Sequence, residues 1–209
     1  MMVKFRKPFG LLLLMLAAGA WGETDRIALV VGNAAYEAPA TLKNPVNDAT
    51  DMAAALRAAG WQTTLVADVD RRGFLRAISS FRDALSVHTG AQALFYYAGH
   101  GMQVDGVNYL IPVKTAFDTI DDIKADAISL QSVSDAVKQA DVSVSLVILD
   151  ACRDNPFAKK MSRSLGGTRG LTVVNGAGGP RVRLFCSPPA PATWRKTAQA
   201  AMASSRARC

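Results

Sequence analysis

Three stretches of the chain are apolar almost without interruption and no longer than a strand: Ile27–Val31, Ala93–Ala98 and Leu146–Leu149. Runs of this length, without strict alternation, predict strands buried on both faces, as in the middle of a parallel sheet. Between them the period changes. From Asn44 or Asn47 as a cap, through Met52, Ala53 and Leu56 to Ala59, apolar residues recur every third and fourth position, and Gly60 ends the run. Trp61–Val66 reads as a second strand, and Arg71–Ser86 returns to helical spacing through Phe74, Leu75, Ile78, Phe81 and Leu85. Beyond the Ala93 strand, Met102–Pro112 predicts a short hairpin with Asp105-Gly106 at its turn. Asp118–Asp126 reads as an acidic loop, followed by a helix near Ser132–Gln139 and the last strand. Strand, helix, strand, helix, strand, hairpin, helix, strand is the grammar of an α/β sandwich with a mainly parallel sheet and helices on both faces.

Two of these strands carry chemistry at one end. Ala93–Gly101 runs into His100 between Gly99 and Gly101, and Ser145–Asn155 runs into Asp150, Ala151 and Cys152. In an open α/β sheet, ligands gather at the carboxyl ends of the strands. If the two strands are parallel neighbours, an imidazole and a thiol leave one edge side by side, the minimum for nucleophilic catalysis by cysteine. The competing readings are a core histidine and a small buried thiol. The glycines around His100 and the charged residue before Cys152 weigh against them. His88, beside Thr89-Gly90, reads as solvated.

Length and charge narrow the classes. With 209 residues the chain holds one domain with a substantial core. The net charge of +7 suggests nucleic acid until it is located. Lys4, Arg6 and Lys7 stand at the front, and Arg181, Arg183, Arg195, Lys196, Arg206 and Arg208 at the back. The body from Glu23 to Asn175 keeps 15 basic residues against all 17 acids. A folded nucleic-acid-binding surface is therefore not expected. Cys152, Cys186 and Cys209 make no disulfide framework, and with no CxxC and no histidine pair a zinc-type site has no ligand set. No glycine-rich phosphate loop follows Val31-Gly32-Asn33.

The two ends have a different character. Residues 1–22 carry three basic residues, an apolar core from Gly10 to Ala18, and small residues at Ala18-Gly19-Ala20. This predicts a secretory signal peptide cut after Ala20 or Gly22, and so an exported protein, periplasmic or secreted, with no membrane attachment afterwards. The apolar core is about half the ~20 residues a bilayer-spanning helix needs. Asn155–Gly170 is a basic, glycine-rich linker. From Gly176 to Cys209 there is no acid and a Pro188-Pro189-Ala190-Pro191 run, and nothing reads as a strand.

With Tyr97-Ala98-Gly99-His100-Gly101 and Asp150-Ala151-Cys152-Arg153 in place, the chain resembles the caspase-like cysteine peptidases. It is closest in pattern to the bacterial metacaspase-like branch, the orthocaspases, over Arg26–Leu171. Val31-Gly32-Asn33, Asn47-Asp48 and Asn108-Tyr109-Leu110-Ile111-Pro112 fit the same pattern in the same order. The resemblance implies a three-layer caspase-like sandwich and hydrolysis of peptide bonds in protein or peptide substrates. Cys152 would be the nucleophile and His100 its base. The backbone N–H groups of Gly101 and Cys152 would form an oxyanion hole. Asp150 matches an acidic position that selects Arg or Lys, and Asp48 supplies a second carboxylate or simply favours a helix N-terminus. Lys159, Lys160, Arg163 and Arg169 are then candidate self-cleavage points, or plain exposed linker charge.

No cofactor is required by this chemistry. Many relatives need calcium, and Asp118, Asp121, Asp122 and Asp126 are the acids that would be recruited, although they lack the EF-hand pattern. The resemblance also expects two further strands and a helix where residues 176–209 stand. Codons for Pro188–Cys209 read in an adjacent register can spell a sequence of that kind, so a frameshift is one account of the basic tail. Without that wall of the cleft, the alternative is an inactive caspase-like fragment or pseudoenzyme that binds peptides or proteins. The sequence assigns no oligomeric state.

Overall fold

The computed structural model describes residues 24–37 and 40–152, with 152 and 182–186 described by their backbone. The expected signal segment, the basic linker and most of the tail lie outside these residues.

Strand β1 (Arg26–Gly32) leads to helix α1 (Pro45–Ala58), strand β2 (Gln62–Ala67), helix α2 (Arg71–Ser86) and the long strand β3 (Ala91–Val104). Then come β4 (Val107–Leu110), α3 (Ile120–Asp126), β5 (Ile128–Ser129), α4 (Leu130–Lys138), β6 (Val142–Cys152) and β7 (Val182–Cys186). Five strands run parallel in the order β2, β1, β3, β6, β7. The chain winds left from β1 to β2 and right from β3 to β6, so β1 and β3 flank a switch point, where open α/β sheets hold their ligands.

The strand residues divide by parity. Leu29, Val31, Phe95 and Tyr97 pack against α2 and α4 through Phe74, Ile78, Phe81, Leu85 and Val133. Ala28, Val30, Leu94, Tyr96 and Ala98 pack against α1 through Ala49, Met52 and Leu56. Full burial of one such Leu, Val or Phe side chain contributes about 2 kcal/mol. This apolar burial, more than intrinsic propensity, fixes which face each helix presents. Helix α2 begins where Asp70 accepts the Gly73 N–H at 2.7 Å. Helix α1 starts hard against the end of β1. A Cβ on Gly32 would lie 2.6 Å from the Ala49 Cβ and 2.7 Å from the Pro45 carbonyl oxygen.

Four sequence expectations are corrected. First, β3 does not end at His100. It passes through Gly99, where φ is +155°, and continues into the hairpin with β4, whose turn has Asp105 at φ 50° and Gly106 at φ 80°. Second, Asp118–Asp126 is largely helical. Thr119 accepts the Asp122 N–H at 3.1 Å, and Asp122 accepts the Thr119 N–H at 2.8 Å, a reciprocal cap that opens α3. Third, β6 is buried on one face only among the described residues. Ser145, Val147 and Leu149 are buried, whereas Leu146, Ile148 and Asp150 are half-buried, because α1 lies over β1, β2 and β3 and leaves β6 at its flank. Fourth, the tail does contain a strand: β7 pairs with β6 in parallel from Ser145↔Val182 to Leu149↔Cys186.

Candidate active site

Register brings the two chemical strands together. β3 and β6 pair in parallel with Ala98 opposite Asp150, Gly99 opposite Ala151 and His100 opposite Cys152. Opposed residues of adjacent strands share a face of the sheet. By parity this is the α1 face, where Tyr96 and Ala98 also sit.

His100 is 4% exposed. Its Nε2 lies 2.6 Å from the Ala40 carbonyl oxygen, in the loop between β1 and α1. A carbonyl only accepts, so this contact places the ring proton on Nε2 and the lone pair of the neutral ring on Nδ1. Burial pushes the imidazole below its ordinary value of 6.5, against a smaller upward pull from the Ala40 carbonyl. The ring is therefore kept neutral, the form a general base needs. The Tyr36 ring leans on it, with centroids 4.5 Å apart and planes tilted by 52°.

Gly101 is oriented by the ladder. The His100 N–H donates to Tyr36 Oη at 3.1 Å, and the His100 carbonyl accepts the Ile111 N–H at 3.0 Å. Both main-chain groups of His100 therefore point toward β1 and β4. The antiparallel register Gly101↔Leu110 is then a non-hydrogen-bonded pair, and the Gly101 N–H is directed to the β6 side. That is the side on which Cys152 ends its strand.

Asp48 stands in the first turn of α1 and Asp150 near the end of β6, on the face that α1 covers. Desolvation raises Asp150, and the Asp48 charge raises it further, while Tyr96 Oη donates to Asp150 Oδ2 at 3.3 Å. Desolvation also raises Asp48, with Asp51 adding to it. Two carboxylates within electrostatic reach, both harder to ionise than usual, make a region where an incoming cation relieves repulsion.

Among the described residues, no group of three or more His, Cys, Asp or Glu side chains is arranged to hold a metal ion. Asp122 is taken up by the cap of α3, and Lys124 pairs with Asp105 at 2.7 Å. His88, read as solvated, is instead half-buried, with Nδ1 2.8 Å from Asp25 Oδ2. Tyr36, Tyr97 and Tyr96 are the site residues that sequence reasoning passed over. For Tyr96 and Tyr97 the signal was a phenol inside the apolar Ala93–Ala98 run, since a buried hydroxyl must find a partner, whereas Tyr36 stands in the turn-rich loop after β1 and carried no such signal.

The family profile described as the caspase domain, Peptidase_C14, matches residues 25–205, and the chain belongs to this peptidase family. The chain is similar to mucosa-associated lymphoid tissue lymphoma translocation protein 1 of Homo sapiens and to its Mus musculus homolog. Each is 25% identical over 130 residues. That match takes in 62% of this chain and 15% of the relative's length. Among solved structures, a Geobacter sulfurreducens protein aligns with a TM-score of 0.47 and 21% identity, over 66% of this chain and 55% of that one.

Proposed function

We propose that the protein is a cysteine endopeptidase that cleaves after Arg or Lys, with Cys152 as nucleophile and His100 as base. The observation that carries the reading is the register setting His100 opposite Cys152 on adjoining parallel strands. A thiol with a pKa near 8.5 is mostly protonated at neutral pH. His100, protonated on Nε2 through Ala40, offers Nδ1 to accept that proton. The thiolate attacks the scissile carbonyl carbon, and the negative charge on its oxygen is held by the Gly101 and Cys152 N–H groups. Such a donor is typically worth ~3 kcal/mol of barrier. The C–N bond breaks as the imidazolium returns its proton to the leaving amine. Water, deprotonated by His100, then attacks the thioester carbonyl, releases the acid and restores the thiol. Asp48 and Asp150, the latter aligned by Tyr96, receive the cationic side chain.

The experiment is turnover of an Arg-terminated fluorogenic peptide, with and without calcium, by the wild type and by Cys152→Ala. The expected result is turnover by the wild type alone. Equal signals from both would leave the peptide-binding pseudoenzyme as the surviving reading. The signal-like residues 1–22 favour action outside the cytoplasm, which N-terminal sequencing of the exported protein checks.

A further inference from the structure

We propose that Tyr36 and Tyr97 are positioning residues for His100, their buried hydroxyls holding its main chain, one at the N–H and one at the carbonyl. The inference rests on the peptidase reading for its kinetic consequence, but its geometry stands alone.

The protons can be assigned one by one. Tyr36 Oη lies 3.1 Å from the His100 nitrogen and 3.0 Å from the Ile111 carbonyl oxygen. It accepts the His100 N–H and donates its own proton to Ile111. Tyr97 Oη lies 2.6 Å from the His100 carbonyl oxygen and 3.1 Å from that of Ile111. Its single proton belongs to the shorter contact, and Ile111 keeps Tyr36 and the Asn33 amide, whose Nδ2 is 3.2 Å away. The two hydroxyls are 3.2 Å apart. Burial pushes Tyr36 up to about 12 and Tyr97 well up. Both therefore remain protonated throughout the working range.

The clamp explains the glycine before the histidine. A Cβ on Gly99 would lie 2.6 Å from Tyr97 Oη and 2.7 Å from Tyr36 Oη. The hydroxyls occupy the space a side chain would need. They reach the main chain at the point where β3 leaves the parallel sheet for the hairpin. There β1 has ended, so on that side, among the described residues, no strand of the parallel sheet remains to take the His100 N–H. With both main-chain groups held, and the Tyr36 ring against the imidazole, the ring stays on the Ala40 carbonyl.

The test uses the full chain with Tyr36→Phe and Tyr97→Phe. In each folded variant, kcat on the Arg-terminated peptide should fall tenfold or more with KM unchanged within about twofold, as misplacement of a catalytic group predicts. The chain has two histidines, so imidazole 15N spectra with His88→Gln for assignment report His100 alone. Its Nε2–H signature should weaken or shift in both variants. An unchanged His100 signal in the folded variants would overturn the clamp, even if the wild type proves inactive and the peptidase reading itself fails. Should neither variant fold, amide exchange in the wild type decides. A His100 N–H as protected as those of Phe95 and Tyr97 supports Tyr36 as its acceptor, and exchange at the rate of an exposed loop excludes it.

Discussion

Burial holds the His100 imidazole below its ordinary pKa, and that has a signed consequence. Because its pKa is lowered, acidification through the window below 6.5 protonates the unfolded chain before the folded one. Stability therefore falls as pH drops through that window and is recovered above it. On the peptidase reading, the acid limb of kcat/KM, which reports the free protein, should also lie below the ordinary histidine value of ~6.5, and a pH profile from about 4 to about 8 measures it. Asp150 has the opposite sign. Its raised pKa means that ionisation at neutral pH opposes folding. Asp150→Asn should raise the thermal midpoint at pH 7 while reducing the preference for Arg over an uncharged side chain by tenfold or more, the scale of one lost charge-assisted contact. A melting curve and paired kcat/KM values test both halves. At this scale His100, Cys152 and Asp150 were legible because each interrupts or ends an apolar run. Tyr97 was not, since a tyrosine in an apolar stretch looks like core until its hydroxyl is seen to have a task, and Tyr36 was not, since it stands in a loop that reads only as turns.

At the level of elements, α2 was readable to the residue, since Arg71–Ser86 repeats its apolar positions over four turns. α3 was hidden, because seven residues with one buried side chain, Ile123, carry no periodic signal. What defines it is the reciprocal Thr119–Asp122 cap, a local pattern masked by the acids around it. Thr119→Ala should lower stability by about 1 kcal/mol in denaturant melts. β5, two residues long, was beyond any periodicity. Gly32 shows how elements constrain one another. Gly32→Ala would drive a methyl into Ala49 and the Pro45 carbonyl, at a cost of about 1–3 kcal/mol. The same change should shift α1 and with it Asp48, so the loss of Arg preference should exceed the loss of kcat on a small neutral substrate.

For the whole molecule, the parallel sheet and its helical layers followed from period and order alone, and the caspase-domain match agrees with them. The contribution of the tail did not. Residues 182–186 pair with β6 on its outer side, although Val182–Cys186 sits among arginines and prolines where nothing reads as a strand. Truncation after Asn175 should bare the β6 edge and lower the soluble fraction markedly, as an unprotected edge strand invites association. A sedimentation assay of the truncated and full chains checks this. One last feature reaches across the fold. β3 runs on from its parallel pairing with β1 and β6 into the hairpin with β4, so the tip at Asp105-Gly106 and His100 stand on one continuous strand. An antibody that seizes that tip should therefore shift the His100 imidazole 15N signal from a distance, a lever worked by torque instead of occlusion.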